Sequence, residues 1–175
     1  MSMYSNLKVK QKCKEIKLVI TDVDGVLTDG GRYYSKKGET LKKFHTRDGM
    51  GVNILLRNNI KTIILSKEES MITRKWANEM NVEHVYGGFA KKELALTEIC
   101  KKYKVTLKNM AFIGDDVNDL EVLKKVGLSA VPNDAVIQAK QVADYICKTK
   151  GGEGCFRELT DIILLAKFSF KTKWY

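Results

Sequence analysis

The stretch Leu18-Val19-Ile20-Thr21-Asp22-Val23-Asp24-Gly25 constrains this chain more than any other. A short, continuous apolar run ends in two carboxylates one residue apart and then a glycine. An unbroken apolar run, without alternation, is the pattern of a strand buried on both faces in a parallel sheet. Side chains alternate along a strand, so Asp22 and Asp24 share a face only while the chain stays extended. At the carboxyl end of a central strand both sit where open α/β sheets bind their ligands. Two like charges this close are costly unless a cation or a shared proton offsets them. A hard divalent ion such as Mg²⁺ is the natural neutraliser. A plain strand followed by an Asp-Gly turn carries the same local signature, so the assignment depends on the rest of the chain.

That rest alternates strand and helix. Arg32-Tyr33-Tyr34 and residues 39–44 flank Ser35-Lys36-Lys37-Gly38, a hairpin signal. His45-Thr46-Arg47-Asp48-Gly49 leads into a helix over 50–58 with Val52, Leu55 and Leu56 on one face. A strand over 60–65 ends at Ser66. A helix over 67–80 places Ile72, Trp76 and Met80 four apart. A strand over 82–86 precedes a helix over 91–103 with Leu94, Leu96 and Ile99 inward. A strand over 110–113 runs into Gly114-Asp115-Asp116-Val117-Asn118-Asp119. A helix over 119–126, a strand over 128–131, a helix over 135–142 and a strand over 144–147 follow. Gly151-Gly152-Glu153-Gly154 reads as a flexible link before a terminal helix over 155–170. The expected fold class is α/β: a doubly wound parallel sheet, Rossmann-like, with a small β-hairpin flap and no large cap domain. Residues 15–170 read as one domain, and the lysine-rich residues 1–14 as a flexible N-terminal arm.

Composition removes several function classes. No apolar run approaches a membrane span. Residues 1–14 lack the apolar core of a signal peptide, so the expected location is cytoplasmic. The four cysteines form no CxxC pair and read as reduced thiols. A formal charge of +10 suggests an anionic partner. Yet the lysines fall in scattered pairs, with no basic helix and no aromatic stripe. That pattern fits a solvated surface with a few cations in an anion site, and not a nucleic-acid surface.

Four strand ends carry polar groups: Asp22 and Asp24, Ser66, Lys92 after the third strand, and Asp115, Asp116 and Asp119. In a doubly wound sheet these ends lie along one edge. The set suits phosphoryl transfer. A carboxylate nucleophile can attack phosphorus and form an aspartyl-phosphate. A metal ion with a lysine can neutralise phosphate oxygens. A second carboxylate can protonate the leaving alcohol and later activate water.

Taken in order, Asp22-Val23-Asp24-Gly25-Val26, Ser66, Lys92 and Gly114-Asp115-Asp116-Val117-Asn118-Asp119 resemble the four motifs of the haloacid dehalogenase superfamily of phosphatases. Residues 22–30, Phe44-His45-Thr46-Arg47-Asp48-Gly49, Val126-Gly127-Leu128-Ser129 and Gly151-Gly152-Glu153-Gly154 resemble its 3-deoxy-D-manno-octulosonate 8-phosphate phosphatase subfamily. Relatives of that subfamily act on nine-carbon 2-keto acids. The resemblance implies that Asp22 is the nucleophile and Asp24 the general acid/base. It implies that Asp22, the Asp24 main-chain carbonyl and Asp115 hold Mg²⁺, and that Ser66 and Lys92 bind the phosphoryl group. It puts Thr46, Arg47 and Gly49 in the substrate-contacting segment. It also implies a homotetramer whose flaps pack together and close neighbouring sites.

The sequence departs from the subfamily in two places. Ser66-Lys67-Glu68 stands where Thr-Gly-Arg is usual, and Trp76 where a further arginine is expected. Glu68 is similar to the nine-carbon phosphatases at that position and is a candidate specificity residue. Ser129-Ala130-Val131-Pro132 and Asp144-Tyr145-Ile146-Cys147 also resemble a domain attached to sialic-acid cytidylyltransferases. That likeness raises the alternative of a non-catalytic assembly module. Intact Asp22, Asp24, Lys92 and Asp115 favour an active enzyme.

Overall fold

The computed structural model describes residues 7–168. Its centre is the strand β1 (Leu18–Thr21), whose residues are all buried. The flap strands β2 (Tyr33–Ser35) and β3 (Gly38–Leu41) follow, then β4 (Lys61–Leu65), β5 (His84–Tyr86), β6 (Met110–Ile113), β7 (Leu128–Val131) and β8 (Tyr145–Ile146). The main sheet has six strands in the order β5-β4-β1-β6-β7-β8, all parallel. Register positions the functional edge: Thr21 pairs with Ile64 of β4 and Ile113 of β6. The chain therefore leaves β1, β4 and β6 at nearly one level, and Asp22, Ser66 and Asp115 emerge together.

The helices are α1 (Leu7–Glu15), α2 (Thr46–Arg57), α3 (Met71–Glu79), α4 (Ala95–Tyr103), α5 (Leu120–Leu123), α6 (Ile137–Val142) and α7 (Cys155–Lys167). Alternation along β1 divides the core. Val19 packs with residues of α1, α2, α3 and α7, including Cys13, Leu55, Ala77 and Ile163. Leu18 and Ile20 pack on the other face with residues of α4, α5 and α6, including Ile99, Leu123 and Ala139. Each fully buried aliphatic side chain of this kind contributes about 1.5–3 kcal/mol over its exposed state. The β1 edge is thus held from both faces and is a rigid base for chemistry. The expected small hairpin is present as the antiparallel β2–β3 pair, and the doubly wound α/β architecture is as expected.

Several expectations need correction. Residues 7–14 are not a flexible arm. They lie in α1, which packs on α7 and buries Cys13. Val9, Cys13 and Ile16 supply the apolar contacts, sparse enough to be hidden among lysines. Residues 1–6 lie outside the described residues. α3 does not begin at 67 but at Met71, because the Ser70 hydroxyl caps it by accepting from the Thr73 N–H. Leu94 is 67% exposed and Leu56 40% exposed, where both were expected inward. Leu94 lies in a 3₁₀ turn, Lys92–Leu94, that precedes α4 and shifts the phase of the helical spacing. The helix expected over 119–126 is a 3₁₀ turn, Val117–Asp119, leading into the single-turn α5. α7 ends at Lys167, and positions 169–170 of the expected helix lie outside the described residues.

Gly151-Gly152-Glu153-Gly154 is not a flexible link either. It is a turn packed against the segment after β1. The Gly152 N–H donates to the Val26 carbonyl at 2.9 Å. A Cβ at Gly151 would lie 2.0 Å from the Gly25 carbonyl oxygen, so these glycines serve close approach.

Candidate active site

Asp22 is the first residue beyond β1, and its N–H still donates to the Ile113 carbonyl at 2.9 Å. The chain then turns sharply, with the Val26, Leu27 and Thr28 N–H groups all donating to the Val23 carbonyl. Gly25 has φ +89°, and a Cβ there would lie 2.1 Å from the Asp115 carboxylate. Glycine is required at this point both for the turn and for the approach of Asp115.

Lys92 is fully buried. Its ammonium lies 2.8 Å from Asp22 Oδ2 and 2.6 Å from Asp119 Oδ1. Asp119 Oδ2 accepts from the Asp115 N–H at 2.9 Å and the Asp116 N–H at 3.3 Å. Asp119 thus ties Lys92 to the loop after β6, a positioning role. Asp116 caps the following turn, accepting from the Val117 N–H at 2.7 Å. Burial pulls the Lys92 ammonium towards neutrality, but Asp22 and Asp119 outweigh it and hold the ammonium above its usual range.

Carboxylate oxygens of Asp22, Asp115 and Asp119 lie within 4.8 Å of one another. Burial pushes the Asp22 carboxyl up to about 6, against the pull of Lys92. Burial, with the charges of Asp22 and Asp119, pushes Asp115 up to about 8. Asp115 Oδ1 is buried without a partner. One lysine among three buried carboxylates leaves the cluster short of positive charge, and an unpartnered carboxylate oxygen marks where a cation fits. Both Asp119 oxygens are already engaged, so Asp22 and Asp115 are the carboxylates with capacity for it.

Ser66 is buried at the end of β4, and its N–H donates to the Tyr86 carbonyl at 2.9 Å. Its Oγ accepts from the Glu68 N–H at 3.2 Å, which fixes the oxygen and leaves the hydroxyl hydrogen to donate. It is not a helix cap, since Ser70 caps α3.

Asp24 stands on the flap side. Its Oδ1 pairs with Lys42 and lies 3.4 Å from the Thr28 hydroxyl. Lys42 also lies 3.1 Å from Glu39. Glu39 accepts from Arg32 at 3.1 Å and from the Ser70 hydroxyl at 2.8 Å. Arg32 reaches Glu68 at 3.6 Å. The flap is clipped to the sheet edge by charge.

A cleft of about 150 Å³ opens over Asp22, Asp24, Ser66 and Asp115, walled by Arg32, Lys67 and Glu68. The expected residue Glu68 is therefore at the cleft. Thr46, Arg47 and Gly49 do not line it. Thr46 and Arg47 are exposed in the first turn of α2, and Gly49 is buried beside Met80 and Trp76. Trp76 stacks on Phe44 with ring centroids 4.6 Å apart. Arg32, Lys42 and Glu39 escaped the sequence reading. The only signal was the density of charge in a flap as short as residues 32–43.

A parallel sheet with a buried lysine–carboxylate cluster at its carboxyl edge, and no large cap, defines a haloacid dehalogenase-like hydrolase. Residues 53–159 match the family described as haloacid dehalogenase-like hydrolase. The chain is 41% identical over 159 residues to the 3-deoxy-D-manno-octulosonate 8-phosphate phosphatase of Haemophilus influenzae, covering 91% of this chain and 88% of that one. The cobalt-bound structure of the Haemophilus influenzae enzyme superposes with a TM-score of 0.89, covering 93% of this chain and 96% of that one. The Moraxella catarrhalis phosphatase, solved with magnesium ion, phosphate ion and a KDO molecule, is 35% identical with a TM-score of 0.88, covering 91% and 92%. The chain belongs to the family of the 3-deoxy-D-manno-octulosonate 8-phosphate phosphatases, and it is a phosphoric monoester hydrolase.

Proposed function

We propose that this protein is a Mg²⁺-dependent phosphatase of a phosphorylated 2-keto-3-deoxy sugar acid, acting through an aspartyl-phosphate on Asp22. The observation that carries the reading is the buried Lys92 ammonium held on Asp22 at the strand end, beside the unpartnered Asp115 oxygen. Asp22, Asp115 and, by family resemblance, the Asp24 main-chain carbonyl would hold Mg²⁺, which when bound would neutralise phosphate oxygens. The protein's own residues do the remainder. Lys92 and Ser66 orient the phosphoryl group. An Asp22 oxygen bonds to phosphorus as the ester P–O bond breaks, and Asp24 gives its proton to the departing alcohol oxygen. Asp24 then takes a proton from the water that attacks phosphorus, the Asp22–phosphorus bond breaks, and phosphate leaves. With a carboxyl near 6, Asp22 is mostly ionised at neutral pH, as a nucleophile must be.

The substrate is octulosonate 8-phosphate in the first reading, by similarity to relatives of that name. A nine-carbon acid such as N-acetylneuraminate 9-phosphate, or its deaminated analogue, is the second reading. Glu68, which lines the cleft, supports it because a glutamate at this position is similar to the nine-carbon keto-acid phosphatases. Phosphate release from the three compounds, measured side by side with Mg²⁺, decides between them. No release from any of them rejects the sugar-acid assignment.

Assembly as a homotetramer belongs to the same proposal. A cleft of about 150 Å³ holds a phosphoryl group and little more, against roughly 300–1,000 Å³ for a whole ligand. The sugar must be covered by something else. Tyr33, Tyr34 and Leu41 on the flap are each at least 60% exposed, and exposed aromatics suit an interface core. Light scattering after size exclusion tests this: a single-subunit mass with full activity refutes the tetramer and the shared covering of the site.

A further inference from the structure

The reading of Asp24 as proton carrier leaves its cation without a role. Lys42 lies just past β3, and its side chain is entirely buried between Asp24 and Glu39. A buried ammonium is costly to keep unless paired on every side. Here both partners are fixed by other elements. Glu39 is held by Arg32 and by the Ser70 hydroxyl at the start of α3. Asp24 is held at the turn after β1. Lys42 is therefore not a surface lysine resting on the nearest acid, but a strut between the flap and the catalytic turn. Both described contacts to Asp24, from Lys42 and from Thr28, fall on Oδ1. Oδ2 has no described contact, and Asp24 lines the cleft.

We propose that Lys42 is the positioning residue for Asp24, pinning Oδ1 so that Oδ2 meets the ester oxygen of the substrate. This inference rests on the phosphatase reading above. Its chemical consequence is specific to the leaving group. When Asp22 bonds to phosphorus, the electron pair of the broken P–O bond goes to the leaving oxygen, which takes its proton from Asp24. A p-nitrophenolate leaves readily without that proton, and a more basic phenolate does not. A misplaced Asp24 therefore harms phenyl phosphate more than p-nitrophenyl phosphate, two esters of similar size.

The experiment compares kcat/KM for both esters, with Mg²⁺, in wild type, Lys42→Met, Lys42→Gln and Asp24→Asn. A general acid contributes roughly 10²- to 10⁴-fold, and losing its placement forfeits a part of that. The expected result is a loss in Lys42→Met at least about tenfold larger for phenyl than for p-nitrophenyl phosphate. Asp24→Asn should show the same bias more strongly, and Lys42→Gln a weaker one, since it keeps a donor on Oδ1. An equal loss on both esters, or no loss, overturns the proposal and leaves Lys42 a structural residue. If Lys42→Met does not fold, the same ratio in Lys42→Gln decides. Wild type inactive on both esters counts against the phosphatase reading instead, so the two failures are distinguishable.

Discussion

Lys92→Met separates what the buried lysine does for the fold from what it does for the reaction. Asp22, Asp115 and Asp119 with Lys92 carry a formal charge of −2 when all are ionised, three carboxylates against one ammonium. The substitution takes this to −3 with Asp22 and Asp119 buried. Breaking a buried pair by removing one partner costs about 3–5 kcal/mol. For a chain of 175 residues, where 1 kcal/mol shifts Tm by about 2–4 °C, the melt should fall by roughly 6–20 °C in EDTA. Mg²⁺ neutralises two charges of the cluster, so saturating Mg²⁺ should raise the Tm of Lys92→Met more than that of wild type. Loss of one preorganised charge at developing negative charge costs about 2.7–4 kcal/mol of barrier, or 10²- to 10³-fold in kcat. The assays are circular-dichroism melts in EDTA and in Mg²⁺, with phosphate release below the melt. A variant that melts within about 2 °C of wild type and keeps more than a tenth of kcat would refute the buried-pair argument.

Asp22→Asn keeps the shape but removes the nucleophilic charge, and turnover with Mg²⁺ should fall by at least about 10³-fold; retained wild-type turnover shows another nucleophile. The carboxyl of Asp115, pushed up to about 8, must lose its proton before a cation binds. Apparent Mg²⁺ affinity should thus weaken as pH falls from 8, up to about tenfold per pH unit, with proton uptake by the buffer seen in calorimetry near pH 7; affinity flat from pH 6 to 8 rejects this. Glu68→Arg should shift the ratio of kcat/KM between eight- and nine-carbon substrates towards the eight-carbon acid, leaving p-nitrophenyl phosphate turnover within a few-fold. An unchanged ratio removes Glu68 from substrate choice. Burial pushes Asp48 up to about 7, so the folded state keeps a proton the unfolded chain loses near 4. The stability from that proton is present below pH 4 and lost as pH rises through 7. Asp48→Asn should melt with a flatter pH profile between 5 and 8, and an identical slope counts against the assignment.

The centre of the sheet was legible because β1 and β6 are short apolar runs, Leu18-Val19-Ile20 and Met110-Ala111-Phe112-Ile113, as a strand buried on both faces requires. The convergence of Asp22, Ser66 and Asp115 was legible because each stands just past an apolar strand, and parallel register brings those strand ends level. Lys92 joins them from the 3₁₀ turn that follows β5. Helix starts were less legible. Ser70, and not strand-end Ser66, caps α3, and both are serines that a capping rule accepts equally. α1 was missed because its few apolar residues, Val9 and Cys13, sit among lysines. The Thr46-Arg47-Asp48-Gly49 segment resembled a substrate contact, yet Asp48 serves the fold. It is buried, and its Oδ1 accepts from the Arg157 N–H at 2.8 Å at the first turn of α7. The N-cap of α7 is Gly154, which has no side chain to cap with. A cap supplied from 109 residues away has no local sequence signal, because caps are expected from the adjoining residue.

Two lysines with buried side chains flank Asp22 and Asp24, and they come from different parts of the chain. Lys92 reaches Asp22 from the 3₁₀ turn ahead of α4, behind the sheet edge, and is fixed there by Asp119. Lys42 reaches Asp24 from the flap and is fixed by Glu39. Asp22, the proposed nucleophile, is therefore set by the core, which 0%-exposed aliphatics on both faces of β1 hold in place. Asp24, the proposed proton carrier, is held by a two-stranded hairpin, which is marginal by itself in water. In the proposed tetramer, packing on Tyr33, Tyr34 and Leu41 would steady Lys42 and through it Asp24, which would couple flap packing to proton transfer. Substitutions at the exposed flap residues, remote from phosphorus, should alter leaving-group dependence in the same direction as Lys42→Met, while substitutions around α4 should alter all esters alike.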